Sequence, residues 1–154
     1  ISGWPVHRWW SPDQDLNLGG VSLSLLLTPG HTPDSISIWD KARQRVFMGD
    51  YAGDGEIYAF MPNSSLGTYL TTTEQLLGLL PAQTRLFAAH GGVETRGAPD
   101  VGMDNLRDLR DGLLAMRAGE ASAEGFWPRA YPINHSTKVL ADWKGPGGST
   151  WDFE

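Results

Sequence analysis

Three times in this chain an apolar, strand-like run stops at a glycine-containing turn that carries one chemically active side chain. Val21, Leu23, Leu25 and Leu27 alternate with Ser22 and Ser24 and stop at Thr28-Pro29-Gly30, just before His31. Arg45 to Met48 runs into Gly49-Asp50, and Thr84 to Ala89 runs into His90-Gly91-Gly92. Nineteen Gly and ten Pro among 154 residues favour many short elements joined by sharp turns over a helical bundle. A 40% hydrophobic content is enough to bury a core.

The remaining segments fill in an α/β pattern. Ile36, Ile38 and Trp39 form a strand, and Asp40 to Gln44 is a polar turn leading back into the strand at 45–48. Residues 51–63 read as a long loop rich in aromatics. A helix is predicted from Ser64 or Ser65 to about Leu80. Leu66, Tyr69, Leu70, Thr73, Leu76 and Leu77 share one of its faces, and Pro81 stops it. A second helix over about 102–118 carries Leu106, Leu109, Leu113 and Leu114, with Gly119 as its C-cap. From about residue 120 the chain reads as an irregular tail with Trp127, Tyr131, Trp143 and Trp151.

This order of elements brings the three polar residues together. A hairpin through 40–44 returns the strand at 45–49 antiparallel, so Asp50 lands near Ser35 and hence near His31. The helix at 64–80 is then a crossover to a parallel strand at 84–89. Parallel strands end at one edge, so His90 emerges beside Asp50, where open α/β sheets commonly bind ligands. Two imidazoles and a carboxylate on one rim, with Gly30, Gly49, Gly91 and Gly92 allowing close approach, suit a divalent transition metal. Taken singly, each has a plainer reading: a structural histidine, or an aspartate serving as a turn or cap residue. His7 and His135 have no such partners and read as surface or packing residues.

Other chemistries are excluded or disfavoured. There is no Cys, which removes disulfides, thiolate zinc sites and cysteine nucleophiles. A net charge of −6 without a basic block runs against nucleic-acid binding. No apolar run approaches a membrane span, so the expectation is a soluble chain with no membrane partner, cytoplasmic or periplasmic.

Thr28-Pro29-Gly30-His31-Thr32, Val46-Phe47-Met48-Gly49-Asp50 and Ala89-His90-Gly91 resemble the second-half motifs of the metallo-β-lactamase fold hydrolases. The resemblance covers roughly residues 15 to 118. It implies half of a four-layer αβ/βα sandwich, with a mixed sheet and helices on its outer face. It implies two divalent ions, zinc first, with iron or manganese as alternatives. His31 would complete one ion's histidine set, Asp50 would bridge the pair, and His90 would belong to the second ion. The family's His-x-His-x-Asp-His signature is absent. Residues 1–154 are therefore expected to be one unit, the C-terminal half of such a domain. Its partner would be an N-terminal half carrying the remaining ligands, with Trp4, Trp9 and Trp10 at that boundary, in the substrate pocket or simply filling core.

The activity implied is that of a metal-dependent hydrolase using a metal-activated water on a small ester, lactone or thioester, with Asp50 as its catalytic carboxylate. Tyr51, Tyr58 and Phe60 are the substrate-pocket candidates; the alternative is that the tyrosine and phenylalanine of the loop only anchor it to the sheet. A β-lactam or phosphodiester hydrolase of the same fold, or a metal-free binding or structural module, are the competing readings.

Overall fold

The computed structural model describes residues 10–12, 14–91, 97–143, 145 and 153. His7, Trp4, Trp9, Gly92 and Trp151 lie outside these described residues. Five strands form the larger sheet: β1 (Asp15–Asn17), β2 (Ser22–Leu27), β3 (Ile36–Asp40), β4 (Arg45–Gly49) and, after α1 (Leu66–Leu79), β6 (Arg85–Ala88). Their order is β1-β2-β3-β4-β6, antiparallel throughout except for the parallel pair of β4 and β6. Helix α2 (Gly102–Ala118) follows.

Local chemistry sets the boundaries. The carboxylate of Asp40 accepts from the Arg43 backbone N–H (3.1 Å) and from its guanidinium (3.0 Å). Gln44 then takes a left-handed conformation, and the chain reverses into β4. Ser65 caps α1 by accepting from the Thr68 N–H at 3.1 Å, and Leu80, directly before Pro81, closes it in an extended conformation. Gly119 ends α2 in the left-handed region, its N–H reaching the carbonyls of Ala115 and Met116.

Two expectations are corrected. The stretch 51–63 is not all loop: β5 (Glu56–Tyr58) runs through it. The tail is not irregular either, because it supplies β7 (Arg129–Pro132) and β8 (Lys138–Ala141). These three strands form a second sheet, β5-β8-β7, with β5 parallel to β8. Three residues are too short a run to show an alternating pattern, and β5 exists because β8 supplies its hydrogen-bond partners from far along the chain. Asn105 of α2 pins the junction, donating to the Gly53 carbonyl at 3.0 Å.

The large sheet is apolar on both faces. One face presents Val46, Met48 and Leu86 to a core shared with Leu66, Tyr69 and Leu70 of α1 and Leu106, Leu109 and Leu113 of α2. The helices therefore cover one side of the sheet only. On the other side Leu25, Ile38, Phe47 and Phe87 stand in register across four strands, and the two phenylalanine rings stack at 5.5 Å. Among the described residues this side is open: Phe47 is 44% exposed and Leu27 58%. Double-sided apolar strands are the pattern of a sheet meant to be covered twice. No helix of the described residues is long and apolar enough to cross a membrane.

The two faces should respond differently in the 154-residue chain. Leu106→Ala opens a cavity in the core and is expected to cost about 2–5 kcal/mol. Phe47→Ala, on the open face, is expected to cost less than about 1.5 kcal/mol. Urea unfolding measures both, and equal losses would show that the face is already covered.

Candidate metal centre

The rim residues are held by backbone geometry before their side chains act. The Ser65 N–H donates to the Gly30 carbonyl (3.1 Å), and the Ser64 hydroxyl donates to the His31 carbonyl (2.7 Å), so the start of α1 clamps the loop after β2. Gly30 has φ +148°, and a Cβ there would lie 2.6 Å from the Tyr69 ring. Only glycine fits at that point. Across the sheet, the Ala89 N–H donates to the Gly49 carbonyl (2.9 Å), which extends the parallel ladder to the residues next to His90 and Asp50.

The three side chains meet. His90 Nε2 lies 3.0 Å from Asp50 Oδ1, and His31 Nε2 lies 3.7 Å from Asp50 Oδ2. His31 Nδ1 is 2.8 Å from the Tyr58 carbonyl, which only accepts, so Nδ1 carries the proton there. In the neutral ring Nε2 is then an acceptor, and it faces a carboxylate oxygen, also an acceptor. Such a gap is filled favourably by a cation. Fixing a ring through its far nitrogen on a backbone carbonyl is the usual support for a metal-binding histidine.

One of the two separations fits a shared metal ion and the other falls just outside. Two ligands about 2.0–2.2 Å from one ion, at tetrahedral or octahedral angles, lie about 2.8–3.6 Å apart. The His90–Asp50 distance falls in that range, and the His31–Asp50 distance lies just above it. Among the described residues no group of three or more His, Cys, Asp or Glu is arranged to hold a metal ion, and the two imidazoles face different oxygens of Asp50. The donor set fits a carboxylate shared between two positions, each still short of ligands. The rim opens outward: the His31 side chain is 17% exposed and that of His90 81%.

The aromatic candidates divide. Tyr51 is a core residue, 1% exposed; its hydroxyl lies 2.7 Å from Thr73 Oγ1 and donates to the Tyr69 carbonyl at 2.9 Å. It lines no open pocket, because the turn at Gly49-Asp50 directs it inward beneath the rim. Tyr58 and Phe60 do reach the surface beside His31, their rings 5.2 Å apart. Two neighbours were not singled out from sequence. Tyr69, read only as a core position of α1, packs at a tilt against Tyr51 at 4.8 Å and donates to the Tyr51 carbonyl at 3.2 Å. Trp127, from the tail, meets Phe60 edge-on at 5.7 Å. No local spacing links a tryptophan so far along the chain to this rim.

A mixed sheet with helices on one face and a His–Asp–His rim defines an α/β half-sandwich, and the comparisons with known proteins identify its class. Residues 1–123 match the Metallo-beta-lactamase superfamily, and the chain belongs to that family. It is 37% identical over 65 residues to the human acyl-coenzyme A thioesterase MBLAC2, covering 42% of this chain and 23% of that protein. It is 35% identical over 92 residues to the "Probable metallo-hydrolase YqgX" of Bacillus subtilis, covering 59% of this chain and 44% of that one. The chain thus spans less than half the length of these relatives. The crystal structure of ETHE1 from Myxococcus xanthus superposes with TM-score 0.55 at 23% identity, over 72% of this chain and 48% of that one. This likeness shows the metallo-β-lactamase fold.

Burial pushes the phenols of Tyr51 and Tyr69 well above the ordinary tyrosine range. The folded state then keeps protons that the unfolded chain loses near pH 10, so stability falls as pH rises beyond about 10. Tyr51→Phe should flatten that fall by up to about 1.4 kcal/mol per pH unit. At pH 7 it should cost about 1–2 kcal/mol through the lost buried hydrogen bonds. Urea unfolding across pH 7–11 checks both; a change confined to ligand binding would return Tyr51 to the pocket.

Proposed function

We propose that this chain is the C-terminal half of a metal-dependent hydrolase that cleaves a small thioester, ester or lactone. One observation carries the reading: the two oxygens of Asp50 face two different imidazoles, those of His31 and His90. His31 and Asp50 would hold one divalent ion, and Asp50 and His90 the other, with zinc first and iron or manganese as alternatives. Bound there, the ions would lower the pKa of a coordinated water toward ~7 and polarise the substrate carbonyl.

The chain's own residues do the positioning. The Tyr58 carbonyl holds the His31 ring so that Nε2 faces inward. Asp50 supplies the negative charge that offsets two dications and the acceptor that orients the attacking water. His90, the most exposed of the three, stands where substrate enters. The acyl thioester among the candidate substrates is favoured by the likeness to MBLAC2, whose name states that activity. The open ladder of Leu25, Ile38, Phe47 and Phe87 supports an N-terminal half that packs on this face and brings the missing ligands.

Asp50→Asn in the full-length protein keeps the shape of the side chain and removes its charge. Metal content is expected to fall at one or both positions, and thioester hydrolysis by at least about a hundredfold, with thermal stability of the metal-free protein nearly unchanged. Elemental analysis beside a thiol-release assay reads this out. Full metal content and full rate would reject the bridging role. The 154-residue chain alone is expected to bind zinc weakly and to release no thiol, since each ion would lack ligands. Complete turnover by that purified chain would reject the two-half reading.

A further inference from the structure

The outer face of the small sheet is apolar at one end and charged at the other. In register across its strands stand Tyr58, the buried Leu140 and Ala130, while Glu56 and Lys138 pair two residues away at 3.0 Å. From Tyr58 the aromatic surface continues through Phe60 to Trp127, with successive ring centroids 5.2 and 5.7 Å apart. Tyr58 is 41% exposed and Trp127 62%. Phe60, half-buried, joins these two exposed rings into one contiguous apolar surface of the kind that marks a binding site. The row starts at the metal rim, because the carbonyl of Tyr58 itself holds the His31 ring at 2.8 Å.

We infer that Tyr58, Phe60 and Trp127 form the subsite for the apolar acyl group of the substrate, an aliphatic chain of about six to ten carbons. The inference rests on the hydrolase reading above. Size selects this occupant. At their exposures the three rings offer on the order of 300 Å². A stable protein partner needs about 800 Å² per side. At about 30 Å² per methylene, the row matches an acyl chain instead. Trp127 lies beyond residues 1–123, the part that matches the family, so this end of the subsite belongs to the chain's own C-terminal segment.

The test uses the full-length, metal-loaded protein and thioesters of one thiol with acyl groups from two to twelve carbons. kcat/KM is expected to rise about two- to fourfold per methylene up to roughly eight to ten carbons and then level off. Trp127→Ala should lower the ratio of kcat/KM for octanoyl to that for acetyl at least tenfold, and Trp127→Phe should restore much of it. Calorimetric titration of octanoate into the metal-free protein provides a second readout. Binding that weakens tenfold or more in Trp127→Ala supports the subsite even if no thioester is hydrolysed, an outcome that would sink only the hydrolase reading. An unchanged octanoyl-to-acetyl ratio, or octanoate binding indifferent to Trp127, overturns the subsite.

Discussion

The parallel pairing of β4 with β6 is the constraint on which the rest of this structure depends. Parallel strands need a crossover, and here α1 supplies it, carrying the chain over one face of the sheet. That crossover makes both strands end on one edge, so Asp50 and His90 leave the sheet side by side. It also lays α1 across the loop after β2. The Ser64 and Ser65 bonds to that loop then bring His31 to the same rim from an antiparallel strand. A single topological choice thus gathers three residues that lie far apart in the chain.

Beneath the rim, two tyrosines hold the floor. Tyr51 and Tyr69 pack at a tilt and hydrogen-bond to one another's backbone carbonyls, joining the residue after Asp50 to the first turn of α1. Gly30 must lack a side chain because the Tyr69 ring occupies that space. The loop carrying one histidine and the turn carrying the aspartate are therefore registered against the same aromatic pair. An apolar support of this kind fixes position without competing for the polar atoms that face outward at the rim.

The sheet's two apolar faces have different surroundings among the described residues. The face under α1 and α2 builds a closed core around Leu86, Leu106 and Leu113. The opposite face, from Leu25 to Phe87, keeps large side chains open to water. At the rim, His31 Nε2 and Asp50 Oδ2 face one another across 3.7 Å.

The sequence by itself determined the elements whose signals are local. Alternating side chains in 22–27, the stop at Pro81 and the left-handed Gly119 each act within a few residues, and the strands and helices formed where those patterns lie. Even the meeting of His31, Asp50 and His90 was legible, because a hairpin and a helical crossover leave few arrangements of the strand ends. Tertiary structure alone decided the second sheet. Strand β5 is three residues long and gains its ladder only from β8, some eighty residues away. It likewise sent Tyr51 inward and Tyr58 outward, although both sit in one aromatic stretch, and it brought Trp127 against Phe60. Periodicity records which way a side chain points within one element. It does not record which distant strand completes that element, and here that long-range pairing shaped the surface beside the rim.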